Sequence, residues 1–120
     1  MNVAYWIVAG LLALFSVYAG GLKAVRTREQ LLPMMGWVES TPMPAVRAIG
    51  AVELLGAAGL VLPPLTGVAP GLALAAAVGF AMLQIGATAL HLSRGERDVA
   101  LNAAVFTAAV ASAWLATTWL

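Results

Sequence analysis

The 120-residue chain has no cysteine. Disulfides, thiolate metal sites, CxxC redox chemistry and a cysteine nucleophile are thereby excluded, so any redox role needs a bound cofactor or a partner. Charge is scarce as well: 9% of the residues are Asp, Glu, Lys or Arg, against about 25% in a soluble domain. With 62% apolar residues, too little polar surface remains to cover a water-soluble fold of this length. The composition points to an integral membrane protein whose first partner is the lipid bilayer. A net charge of +1 leaves no basic stripe for nucleic acid. The single histidine, His91, and a few scattered carboxylates make no metal-ligand set with recognisable spacing, and a single histidine weakens the case for a bis-histidine haem site. A phosphate-cradling glycine loop and a G-x-S-x-G elbow are also missing. No basic stretch precedes the first apolar run, which therefore reads as a retained span and not a cleaved signal peptide.

What the chain does have is four apolar runs, at about 3–22, 44–62, 70–92 and 99–119, each long enough to cross a hydrocarbon core. Tyr5 and Trp6 at one end of the first run, and Trp114 and Trp119 in the last, suit the membrane interface. The six basic residues, Lys23, Arg26, Arg28, Arg47, Arg94 and Arg97, all lie at or beside the first and third connections. By the positive-inside rule this places both termini outside and loops 23–43 and 93–98 in the cytoplasm, in the cell (inner) membrane. Within the first connection Thr27 and Gln30 have capping-box spacing, and Pro33 breaks any helix through it. Leu31, Leu32, Met34, Met35 and Trp37 make this segment apolar enough to lie in the interface. Pro63-Pro64-Leu65-Thr66-Gly67 reads as a tight turn, with Pro70 in the first turn of the third span. The expected fold is all-α: a single domain over 1–120, an antiparallel four-transmembrane-helix bundle with a short interfacial segment between helices 1 and 2.

Glu53 stands inside the second span, where a charge costs about 2.5–3.5 kcal/mol on insertion scales. At 100° per residue, Val46, Ile49, Gly50, Gly56, Ala57 and Leu60 lie within about 60° of it. Its nearest neighbours on that face, Gly50, Gly56 and Ala57, are small, and small residues admit close helix approach. Every other span adds a polar residue in the same half of the membrane: Lys23 in the first, Gln84 and His91 in the third, Asn102 in the fourth, with Arg47 beside Glu53 in the second. Lipid cannot satisfy such groups, so they pair with one another or line a wet pocket. The functional reading makes Glu53 an acid or base in a pocket formed with Lys23, Arg47, Gln84, His91 and Asn102, with His91 exchanging protons at its mouth. The plainer reading makes Gln84 and Asn102 interhelical ties, His91 a solvated interface residue, and Lys23, Arg26, Arg28, Arg94 and Arg97 snorkelling charges that set topology.

Several stretches carry a family resemblance. They are Ala19-Gly20-Gly21-Leu22-Lys23, the run Arg47-x-x-Gly50-x-x-Glu53-x-x-Gly56-Ala57, the Leu62-Pro63-Pro64 turn, and His91-Leu-Ser-Arg94-Gly95-Glu96. On these the chain resembles the DoxX-like family of small four-helix membrane proteins, over nearly its whole length. The resemblance implies the four-helix fold. The family takes its name from a membrane subunit associated with thiosulfate–quinone oxidoreduction; similar proteins are linked to quinone or oxidative-stress responses, and a distant animal relative is an assembly chaperone for receptor channels. Three functions stand open. The first is a membrane subunit that accommodates a quinone or other lipophilic molecule near Glu53, no other cofactor being evident. The second is a non-catalytic interaction or assembly factor that holds membrane-protein partners or further copies of itself. The third is an isomerase or hydrolase of a lipophilic substrate with Glu53 as base.

Overall fold

The computed structural model describes residues 3–96 and 99–119. Among these, four long helices form in the four apolar runs: α1 (Val3–Val25), α3 (Met43–Thr66), α4 (Leu72–Ser93) and α5 (Ala100–Ala116), the last extended by a 3-10 turn, Thr117–Trp119. Each is long and apolar enough to cross a membrane. The longest extent of the molecule, 43 Å, exceeds a hydrocarbon core of about 30 Å.

Between α1 and α3 the chain makes a short helix α2 (Arg28–Leu31) and a 3-10 turn, Gly36–Ser40. The Thr27–Gln30 capping box forms in both directions and starts α2, which stops short of Pro33. Leu31, Trp37 and Val38 turn inward and cluster with Val46. The apolar content of this connection thus builds a small second core of its own.

Two differences from the sequence expectation have a physical cause. The turn foreseen at Pro63–Gly67 begins later, because α3 runs through both prolines to Thr66 and ends on Gly67 in the left-handed conformation, φ 75°. A proline inside a helix removes one hydrogen bond to the carbonyl four residues back. For Pro64 that carbonyl is Leu60's, and the Tyr5 hydroxyl donates to it at 2.6 Å. Pro70 lies in the turn two residues ahead of α4, outside its first helical turn.

The helices form two close pairs. In the first, α1 and α3 cross at Gly20 and Gly50. A Cβ on Gly20 would lie 2.8 Å from the Gly50 carbonyl oxygen, and one on Gly50 would lie 2.7 Å from that of Gly20. In the second, α4 packs along α5. The pairs meet where the start of α1 touches the end of α5, with the Tyr5 and Trp119 rings 4.6 Å apart and edge-on. They meet again where Phe80 of α4 covers Gly56 of α3. These pairings fit neighbours that run in opposite directions. The main core, with Leu12, Ala57, Leu60, Ala77, Phe80 and Ala109, fills this end. Toward Lys23 and His91 the two pairs separate and leave a cavity.

Candidate functional site

Lys23 ends the buried stripe of α1 (Ser16, Ala19, Gly20, Lys23), and Glu53 sits among the buried residues of α3 (Val46, Gly50, Glu53, Ala57, Leu60). The glycine crossing brings the two backbones close enough for Lys23 Nζ to meet Glu53 Oε1 at 2.6 Å. Both side chains are almost fully covered, at 11% and 5% exposure. Arg47 approaches from another direction. Its guanidinium donates to the Lys23 carbonyl at 2.7 Å, one of the carbonyls left without a helical partner where α1 ends.

The other pair of helices presents its own polar groups. Asn102 of α5 donates to the Gln84 side chain of α4 at 3.0 Å. At the end of α4, His91 Nδ1 meets Glu96 Oε1 at 2.5 Å, and Arg94 Nε donates to Glu96 Oε2 at 3.2 Å. Glu96 lies outside the spans. The hydrogen bond with His91, then that from Arg94, hold its carboxyl below the usual range.

A cavity of about 870 Å³ lies between the pairs, within the roughly 300–1,000 Å³ of small-molecule sites. Lys23, Glu53, Gln84, His91, Glu96 and Asn102 all line it, and Phe15, Ile49, Met82, Leu83, Leu90 and Val105 give it apolar walls. Met34, Met35, Gly36 and Trp37 close one end. Arg94 fastens that closure, donating to Ser40 Oγ at 2.9 Å and to the Gly36 carbonyl at 3.1 Å. Five of the six residues expected at the site therefore share one space. Arg47 does not line it and instead holds the end of α1 in place.

The reading of Lys23 and Arg94 as simple snorkelling charges gives way to this geometry, since both are tied into the cavity wall or its closure. His91 is half-buried and paired. Arg28 donates to the carbonyls of Glu39 and Thr41, and Arg97 lies outside the described residues. Sequence reasoning did not single out Glu96, Ser40 or Trp37 as parts of the site. The only signal for Glu96 was its place in the His91–Glu96 run. Among the described residues no group of three or more His, Asp or Glu side chains is placed to hold a metal ion.

The arrangement offers hydrogen-bond donors and acceptors at one end of an otherwise apolar chamber. A family model described as the DoxX-like family matches residues 7–113. No curated protein and no solved structure matches the chain.

Proposed function

We propose, from the premise that this integral membrane protein belongs to the DoxX-like family, that it takes up a quinone or a similar flat lipophilic molecule in the cavity beside Glu53. The observation that carries the reading is the convergence of Lys23, Glu53, Gln84 and Asn102 on one apolar-walled space of about 870 Å³. Lys23 and Asn102 supply donors for quinone carbonyls, and the Met, Leu and Phe walls cover the ring faces. Because Glu53 already engages Lys23, we assign it to holding and polarising the Lys23 donor, ahead of the base of an isomerase or hydrolase. The protein then serves as a membrane subunit of the inner membrane, with the cavity in its cytoplasmic half and both termini outside.

The test is binding of ubiquinone analogues to the purified protein in lipid nanodiscs. Glu53→Gln, with helix content checked by circular dichroism, should weaken binding at least about tenfold, the equivalent of losing one good polar contact. Equal affinity in the two proteins would remove the assignment.

A second reading, a scaffold for partner helices or further copies of the chain, is favoured by the outer face of α4. Gly79 there is uncovered, and an added Cβ would meet nothing within 4 Å. With Ala75 it forms a small-xxx-small pair. Under that reading Gly79→Leu abolishes co-purification of the partner or dissociates an oligomer, while Glu53→Gln leaves both intact.

A further inference from the structure

The cavity has one closed end and one open flank. Toward the connection between α1 and α3 it is shut by Met34–Trp37, held across the gap by the hydrogen bonds of Arg94 to Ser40 and Gly36. On its flank it is lined by residues that the protein leaves uncovered, Tyr18 at 60%, Met82 at 67% and Leu101 at 60% exposure, together with exposed Gly86. These positions belong to the membrane-crossing helices, so the flank meets acyl chains. Tyr18 and Leu101 carry bulky side chains. Gly86 carries none, an added Cβ there would meet nothing within 4 Å, and Met82, one turn away, is flexible. Among the described residues of this flank, the stretch beside Met82 and Gly86 thus carries the least fixed side-chain bulk.

Charge narrows the occupant. Lys23 faces Glu53, and Arg94 faces Glu96. Among the described residues, Lys23 and Arg94 are each paired with a carboxylate, so neither is left to receive a phosphate or a carboxylate from a ligand.

We infer that the cavity is loaded sideways from the bilayer, and that its ligand is an uncharged hydrogen-bonding head group on a long apolar tail. The head reaches Lys23, Glu53, Gln84 and Asn102. The tail leaves past Met82 and Gly86 into the leaflet. This rests on the reading of the cavity as a ligand site and specifies the class of molecule and its route.

The test compares two probes in nanodiscs: a benzoquinone head group without a tail, and the same head with a decyl or longer tail. The tailed probe should bind the unmodified protein at least about tenfold more tightly, beyond what its partition into the lipid explains. Gly86→Phe and, as a second variant, Gly86→Leu should erase that advantage while leaving the tail-less probe unchanged. An anionic amphiphile, oleate, should not compete. If the tailed probe is unaffected by both variants, or if Arg94→Ala speeds binding where Gly86→Phe does not slow it, the route is from water and the inference is overturned, with the cavity reading intact. Failure of both probes to bind the unmodified protein removes the cavity reading and this inference together.

Discussion

At the scale of single residues, the Lys23–Glu53 pair decides most. Removing one partner of a buried ion pair strands the other charge at a cost of about 3–5 kcal/mol, whereas replacing both by apolar residues is often neutral. Lys23→Met alone should therefore destabilise the bundle by several kcal/mol in a detergent unfolding titration, and Lys23→Met with Glu53→Leu should recover most of the loss. An additive double variant would mean that the two charges do not rely on each other. Glu96 gives a second prediction at this scale. Its carboxyl is held down by His91 and Arg94, so its folded pKa lies below the unfolded one. The stabilisation it brings is present above the unfolded value and is lost as pH falls through the folded value. In an NMR titration Glu96 should protonate below the ordinary glutamate range, and His91→Ala should bring its midpoint back up. An unmoved midpoint would sink the assignment. The sequence made Glu53 conspicuous because a lone carboxylate in an apolar run is costly. It could not name Lys23 as the partner over Arg47, since that choice depends on the crossing point of α1 on α3, which hydropathy does not encode.

At the scale of elements, the spans and their inward faces were largely legible. The face computed for α3 from 100° per residue contains the buried residues Val46, Gly50, Ala57 and Leu60, because a long helix of known period has little freedom once one polar residue marks its inner side. What periodicity missed was the end of α3, where two prolines looked like a stop. Those prolines sit in the last turn, and a residue 55 positions away, Tyr5, satisfies the carbonyl that Pro64 leaves free. Tyr5→Phe should cost about 1 kcal/mol, near the upper part of measured interhelical hydrogen bonds in membranes. Pro64→Ala returns a backbone donor to Leu60, so the hydroxyl should matter less in its presence. A double-mutant cycle in which the two effects simply add would show that the hydroxyl is not replacing the missing backbone bond. The glycine crossing offers a sharper contrast. Gly50→Ala puts a methyl 2.7 Å from the Gly20 carbonyl oxygen, and overpacking of this kind costs about 1–3 kcal/mol. Gly10→Ala, where an added Cβ meets nothing within 4 Å, should be neutral or slightly stabilising in the same unfolding assay.

At the scale of the whole molecule, the two helix pairs meet at the Tyr5–Trp119 end and part at the Lys23–His91 end. The sequence placed a polar pocket at this end but did not show which helices part to form it. α3 meets α1 through Gly20 and Gly50, and it meets α4 nearer the Tyr5–Trp119 end, at Gly56 against Phe80 and at Gly59 against Ala76. The end at which the pairs part coincides with the basic end, and this gives orientation its functional weight: if the basic loops face the cytoplasm, the cavity lies in the inner half of the membrane and draws on the inner leaflet. The absence of cysteine makes this directly measurable, since one introduced thiol is the only one present. Thr66, at the uncharged end of α3, and Ser93, at the end of α4, are both exposed. In intact cells a membrane-impermeant maleimide should label Thr66→Cys readily, and Ser93→Cys only after permeabilisation. The opposite pattern would turn the molecule over, place the cavity in the outer half, and require the ligand to come from the outer leaflet.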